Sequence, residues 1–330
     1  MTLITQDRHA RSRRRAPILA ALFAVAALAG CEDDGAGPRV PGPAFSQAST
    51  DLTLELASIL DQVNLALAAQ GADIRAGMAE YITDPSAEEA GSEVIAKDVG
   101  NRQLGADFVP HDPRREWSGP ADGSDDDITF AIDRTGDAVP PGGGLTAAQT
   151  TGAIQRAMAT WDGATCSTLP IFENPDFGLD IGIVAFQNGL GGGPFVFADV
   201  QHAGWRDINF AAGILGVTFT FIFIDENGDP TDIDGNGRID VAFREIYYDP
   251  SFVWAIDQGP PFVDVESIAV HEAGHGLSQA HFGKVSIKND GSLKASPRAV
   301  MNALYFEVTQ SLRGTDSGGH CSNWSAWPNK

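Results

Sequence analysis

His271-Glu-Ala-Gly-His275-Gly-Leu-Ser-Gln-Ala-His281-Phe-Gly283 decides how the rest of the chain is read. On a helix, His271 and His275 are four residues apart and project from one face, where two imidazoles can ligate one zinc ion. Glu272 lies beside them, near the open coordination position, placed to take a proton from a metal-bound water. His281 follows six residues after His275 and supplies a third nitrogen once the helix stops and the chain turns back across the metal. Gly276 and Gly283 suit such a break. Histidine is 7 of 330 residues, so a third one at the required place is met by chance about once in 47 positions.

Around this stretch the chain has the composition of a globular protein, 43% hydrophobic in 330 residues, enough for one catalytic-sized domain with an N-terminal extension. Its formal charge is -22; the residues before Cys31 carry five arginines and one acid, so without them the charge becomes -26. That balance argues against nucleic acid or anionic lipid as a direct partner of the folded body. Arg8, Arg11, Arg13, Arg14 and Arg15 precede an apolar run from Pro17 to Gly30, too short for a membrane span and shaped like a secretion signal. The run ends in Leu28-Ala29-Gly30-Cys31, which resembles a bacterial lipobox with Cys31 as the lipid-modified first residue. The expectation is an exported lipoprotein of the bacterial cell envelope, periplasmic or surface-exposed, held at the membrane through its acyl chains. An ordinary cleaved signal with an incidental Cys31 is the alternative. Cys166 and Cys321 then remain, and in an exported protein they most simply form one disulfide, closing a loop of about 155 residues. A cysteine serving as an inhibitory metal ligand is the rival use.

Taken in order, residues 1-30 read as the signal and 31-50, rich in Gly, Pro, Ser and acids, as a flexible linker. Asp51 to Gly71 has helical apolar spacing, through Leu52, Leu54, Leu56, Ile59, Leu60, Val63, Leu65 and Leu67. Short alternating segments at Ile74 to Ile82, Glu93 to Val99 and Gln103 to Val109 predict a small β region before the acidic loop Asp122 to Asp127. Residues 51-123 are thus a pro-segment, an inhibitory cover or an extension of a sheet in the domain formed by 124-330. In that domain Asp127 to Asp133 predicts a strand, Leu145 to Asp162 a helix opened near Thr146, and Leu179 to Phe186 a second strand running into the glycine-rich loop Asn188 to Gly193. Val217 to Ile224 is a continuous apolar run suited to a strand buried on both faces. Asp232, Asp234, Asn236, Gly237 and Asp240 follow the first nine positions of an EF-hand calcium loop, but Phe243 stands where the closing bidentate acid belongs. Either a calcium site with other closing ligands or a plain acidic turn fits. Glu245 to Tyr248 predicts another strand, and Asp264 the N-cap of the helix carrying His271. His111, His202 and His320 have no motif around them and read as surface or loop residues.

About twenty residues beyond His281 comes Ser296-Pro-Arg-Ala-Val-Met301-Asn-Ala-Leu-Tyr305. His271-Glu272-x-x-His275-x-x-x-x-x-His281 resembles the extended zinc motif of the metzincin peptidases, and within them the matrixins. Ala299-Val300-Met301 with Tyr305 is similar to their Met-turn, and Glu245 to Asp249 ahead of Trp254 resembles the edge-strand region before their active-site helix. The resemblance runs from Asp127 to Trp324 and is densest from Glu245 to Tyr305. It implies an α+β fold: a twisted, mainly parallel sheet backed by two helices including the active-site helix, with a cleft above a small C-terminal subdomain. It further implies a monomeric zinc endopeptidase acting on peptide or protein substrates. Zinc would sit on His271, His275 and His281, Glu272 would be the general base, Met301 an apolar floor, and Tyr305 would pack there or donate into the site. One position departs: Ser278 stands where the glycine of the turn is expected, so either the turn differs or Gly276 shares the bend. A downstream glutamate as third ligand would have to be Glu307, the one glutamate after Glu272, which lies beyond the Met-turn. Segment Phe282 to Arg298, with a hairpin at Asn289-Asp290-Gly291, would wall the specificity pocket. The alternative is an inactive protease-fold surface lipoprotein that binds calcium or a partner; retention of Glu272 speaks against it.

Overall fold

The computed structural model describes residues 48–87, 90–96, 105–115, 117, 126–142, 144–288 and 292–329. Cys31, the signal, most of the linker and the Asn289-Asp290-Gly291 turn lie outside the described residues. In chain order the elements are α1 (Ala48–Ala69), β1 (Ile74–Thr83), β2 (Glu93–Ile95), β3 (Ala106–Asp107), β4 (Ile128–Ile132), α2 (Ala147–Asp162), β5 (Ile171–Glu173), α3 (Ile183–Gln187) and β6 (Val200–Trp205). There follow β7 (Ile214–Phe223), β8 (Ile239–Tyr248), β9 (Trp254–Ala255), β10 (Val263–Asp264), α4 (Val265–Gly276), β11 (Lys284–Ile287), β12 (Leu293–Ser296) and α5 (Gly314–Trp324).

The main sheet runs β2-β1-β7-β8-β6-β4-β5, with β3 pairing the start of β8. Pairs β4–β5, β4–β6, β6–β8 and β3–β8 are parallel, whereas β7–β8, β1–β7 and β1–β2 are antiparallel. The fold is therefore α+β with a mixed sheet. Along β7 the side chains alternate between two apolar layers. Val217, Phe219, Phe221 and Phe223 join α1 and α3, while Leu215 and Ile222 join α2 and α4. Both faces being covered explains why the strand reads as an unbroken apolar run.

Helix α1 buries Leu56, Ile59, Leu60, Val63 and Leu67, one face at helical spacing, and leaves Leu54 and Leu65 in solvent. It ends where Gly71 takes φ +67. Thr146 caps α2 in a capping box with Gln149, and Ala153, Ile154, Ala157, Met158 and Trp161 form its buried face. The disulfide Cys166–Cys321 ties the loop after α2 to α5, with Cα atoms 5.6 Å apart.

Three expectations are corrected. Leu179 to Phe186 is not a strand: Gly182 takes φ 129 and the chain enters the short helix α3, whose Ile183 and Val184 N–H groups donate to the buried Glu245 carboxylate. Ile181, Ile183, Val184 and Ala185 are all buried, so the period-two alternation of a half-exposed strand is missing. The strand containing Glu245 begins at Ile239 and lies inside the sheet between β7 and β6, not at an edge. His202 and His320 are buried rather than at the surface, His202 on β6 with Nδ1 2.8 Å from the Tyr248 hydroxyl, and His320 on α5 against Trp161.

Candidate metal centre

Asp264 caps α4 as its sequence position predicts, its carboxylate accepting from Ser267 N–H at 2.9 Å. All twelve residues of the helix are buried. It crosses beneath β7 and packs on α2 so closely that a Cβ on Gly274 would fall 2.3 Å from Met301 Sδ and 2.8 Å from the Trp161 ring. Glycine at 274 is what lets the Met301 segment come up against the helix between the two histidines.

The helix stops at Gly276, but the turn is made at Ser278, which adopts φ +62. The left-handed conformation expected of a glycine is thus present at Ser278, and Gly276 does not share it. Gly276 instead admits Val200, whose Cγ1 would lie 3.0 Å from an added Cβ. The compensation for serine comes from β8: Arg244 Nη1 donates to Ser278 Oγ at 2.9 Å and to Gly276 O at 3.0 Å. Burial draws this guanidinium down to about 10, opposed by the charges of Glu80 and Asp107.

The turn delivers His281. His275 Nε2 is 3.1 Å from both His271 Nε2 and His281 Nε2, and the last two are 3.2 Å apart. His271 Nδ1 is 2.8 Å from Val300 O and His275 Nδ1 is 2.8 Å from Gln279 O. A carbonyl oxygen only accepts, so both Nδ1 atoms carry the proton and both Nε2 atoms turn a lone pair inward. Tetrahedral zinc at roughly 2.1 Å from each nitrogen needs N···N separations of about 3.4 Å, close to those found. The residues fit a three-histidine metal ion. Burial presses His271 and His281 well below the ordinary histidine value, and the neighbouring imidazoles add to it, so these two favour the neutral, ligating form. Burial works the same way on His275, but the carboxylates of Glu80 and Glu272 and the Gln279 carbonyl outweigh it and raise this imidazole.

Glu272 is fully buried under Gly216 of β7, where an added Cβ would meet its Cγ at 3.0 Å. Its Oε2 accepts from Thr218 Oγ1 at 2.6 Å, and Oε1 has no hydrogen bond of standard geometry. Burial lifts the carboxyl to about 7; nearby His275, the Thr218 hydroxyl and the Ile82 N–H pull it down, and Glu80 pushes it up. A cation on the histidines would lower it further.

Beneath the site, Val300 N–H and Met301 N–H donate to the buried Asp316 carboxylate of α5 at 2.9 and 3.1 Å. Tyr305 does not donate into the histidine cluster: its hydroxyl takes the Asp264 N–H at 3.1 Å and so ties this segment to the start of α4. Glu307 is paired with Arg298 and plays no part among the histidines. Thr218, Arg244 and Asp316 were not legible as site residues, because each acts through the fold from a remote segment; only the unusual burial cost of a charge on a strand could have marked Arg244.

A second group, Asp232, Asp234 and Asp240, brings carboxylate oxygens within 4.8 Å of one another. Asp232 accepts from the Asn236 and Gly237 N–H groups, as in a calcium loop. Asp240, however, is bound by Arg114 at 2.8 Å and by Thr231 Oγ1 at 2.6 Å, and Phe243 is in the core. Asn236 Nδ2 reaches Asp107 of β3 at 3.3 Å, so a further acid from another segment borders the loop. Among the described residues no helix is long and apolar enough to cross a membrane. No protein-family model matches the chain, and no curated protein matches it.

Proposed function

We propose that the protein is a zinc-dependent endopeptidase of the metzincin type, matrixin-like, in which Glu272 is the general base. The observation that carries this reading is the convergence of the His271, His275 and His281 Nε2 atoms within 3.2 Å, beside a buried glutamate on the same helix. Three neutral ligands leave a coordination position open, the pattern of catalytic rather than structural zinc. The order β5-β4-β6-β8-β7, with α2 and α4 on one face and Met301 behind the histidines, supports the likeness drawn from the sequence.

Bound there, zinc supplies a Lewis acid that acidifies water and polarises a peptide carbonyl. Glu272 takes the proton of the attacking water and returns it to the leaving amine. Thr218 holds one carboxylate oxygen and leaves Oε1 for that transfer. Val300 O and Gln279 O fix the imidazole tautomers, and Asp316 holds the segment carrying Val300. Export and lipid attachment at Cys31 remain part of the proposal, on the Leu28 to Cys31 signature. So does calcium at Asp232, Asp234, Asn236 and Asp240. Burial of Glu272 favours one other reading, a binding module that keeps the fold with its cleft filled.

The test is metal content together with casein or mixed-peptide cleavage, for the unaltered chain, Glu272→Ala and His281→Ala. The expected result is one zinc per chain, kept in Glu272→Ala with cleavage reduced about 10²- to 10⁴-fold, and lost in His281→Ala. A chain that binds no zinc refutes the proposal.

A further inference from the structure

The N-terminal hairpin formed by β1 and β2 ends against the helix that carries the histidines, with Glu80 Oε1 3.3 Å from His275 Nδ1 and the Ile82 N–H on Glu272. Strand β1 covers the outer edge of β7 along its whole length, from Ile74 opposite Phe223 to Thr83 opposite Ile214. Its far end is also gripped from below. Thr83 makes a parallel bridge with Leu304, accepts the Tyr305 N–H at 2.9 Å, and lies beside Gly91, whose N–H donates to Ala303 O at 2.7 Å. Asp84 N–H reaches back to Gly213 O at 2.8 Å. One extended segment is therefore hydrogen-bonded on one side to a sheet strand and on the other to the segment just past Met301. Extended peptides are captured in this way, by main-chain pairing to a strand with pockets for alternate side chains.

The side chains of the segment follow that pattern. Ile82, 3% exposed, walls a small cavity of about 20 Å³ together with Ser267, Ala299, Val300, Tyr305 and Thr309. Its N–H faces the Glu272 carboxylate. Two residues back on the same face, Glu80 puts Oε1 3.3 Å from His275 Nδ1. The Tyr81–Ile82 peptide link thus passes over the base, and nothing from solvent reaches Glu272, which is 0% exposed. The hold is not optimised as a permanent strand would be: Glu80 is paired across the hairpin with Glu93, two acids opposite each other.

Resting on the peptidase reading, we infer that the end of this hairpin, Glu80 to Asp84, is an intramolecular occupant of the substrate groove. It lies in the place and extended form of a peptide substrate and keeps the site latent without a thiol. Helix α1 anchors the earlier part of β1 through Ala76 and Ala79, so opening moves only the last residues of the strand and draws Tyr81 out of the same apolar cluster. The groove so exposed takes an extended peptide with a branched aliphatic side chain just after the bond that is cut, where Ile82 now sits.

Ile82→Gly takes the side chain out of the pocket wall but keeps the N–H on Glu272, and Thr83→Pro removes the N–H that points to Ala303 O; neither replaces a histidine or Glu272. The probe is a hydroxamate with the metal-binding group at its N-terminal end, HONH-CO-CH2-CH(isobutyl)-CO-Ala-NH2, whose isobutyl group takes the place of the Ile82 side chain; it is titrated by calorimetry into the zinc-loaded chain and both variants, each first checked for a cooperative melt. Hydrogen exchange at Glu80 to Asp84 is followed throughout. The inference predicts binding at least tenfold tighter in either folded variant than in the unaltered chain, and at least tenfold faster exchange at these amides when the unaltered chain is saturated. Equal affinity in all three with unchanged protection makes β1 a fixed wall and overturns the inference. A chain that takes up no zinc overturns both this and the peptidase reading. Displacement of the strand by the probe with no peptide cleavage by either variant upholds the occupant and defeats only the catalytic reading.

Discussion

Replacing Ser278 with glycine should weaken the protein, although glycine is the residue its backbone conformation favours. Ser278 sits at φ +62, and relieving a non-glycine residue there is worth about 1 kcal/mol. Up to roughly half of that is returned through the wider unfolded ensemble of glycine. Against the remainder stands the hydrogen bond from Arg244 Nη1 at 2.9 Å, made by a guanidinium that is 1% exposed and whose other hydrogen bonds among the described residues go to Thr220 Oγ1 and Gly276 O. A hydrogen bond to a charged group contributes about 1.5–3 kcal/mol, and a buried donor left short loses that in full. Ser278→Gly is therefore expected to cost about 1–2 kcal/mol, or about 1.5–3 °C of melting temperature for a chain of this size. Ser278→Ala keeps the strain and loses the bond, so it should cost more. In an Arg244→Met background the bond is already gone, and Ser278→Gly should become stabilising by about 0.5 kcal/mol. The assay is thermal and urea unfolding of the four corners of this cycle, zinc-loaded. A rise in stability on Ser278→Gly in the unaltered background, or the same change in both backgrounds, refutes the argument that Arg244 is what holds serine in this turn.

Three further outcomes follow from other parts of the molecule. If the Asp232 loop holds calcium, Asp232→Ala with Asp234→Ala lowers the melting temperature more in calcium than in chelator, and equal loss in both media removes calcium from the reading. Burial holds His202 down to about 3, so below its ordinary value of 6.5 the unfolded chain takes up a proton that the folded chain refuses. Stability then falls as pH drops from 6.5, by about 2–3 kcal/mol at pH 4.5; His202→Gln should flatten this acid limb in urea titrations, and an unchanged slope counts against it. Opening the Cys166–Cys321 bridge, which spans 155 residues, should cost about 5 kcal/mol by loop-closure entropy, measured as the melting shift of Cys166→Ser with Cys321→Ser. Because α5 carries the Asp316 that holds Val300 and Met301, the same variant should also bind zinc more weakly.

What the sequence made legible was local. His271, Glu272 and His275 are related by one turn of helix, and His281 by one tight turn beyond it, so their meeting needs no knowledge of the remaining chain. The capping signals at Thr146 and Asp264 are local in the same sense. The edge position expected for the strand containing Glu245 rests on a family resemblance alone, and its true neighbour β6, Val200–Trp205, does not stand out as a strand, with its glycine at 204 and its polar Gln201 and His202. Those polar groups are tolerated in the core because Gln201 finds Glu245 and His202 finds Tyr248, pairings that only the assembled sheet supplies. The same limit explains β1. Its alternation of apolar and polar residues was readable, but three roles remained open for the segment, since the partner strand lies more than 130 residues away and pairing register cannot be read from either strand alone. Register is what turns the segment from a sheet extension into something that bears on function. With Thr83 opposite Ile214, Ile82 falls in the pocket beside Val300 and its N–H on Glu272; a slip of one residue would turn Ile82 toward α1 and Tyr81 toward the histidines. The histidine cluster is therefore written in thirteen consecutive residues, from His271 to Gly283, while the strand laid against Glu272 follows from a pairing that no local motif encodes.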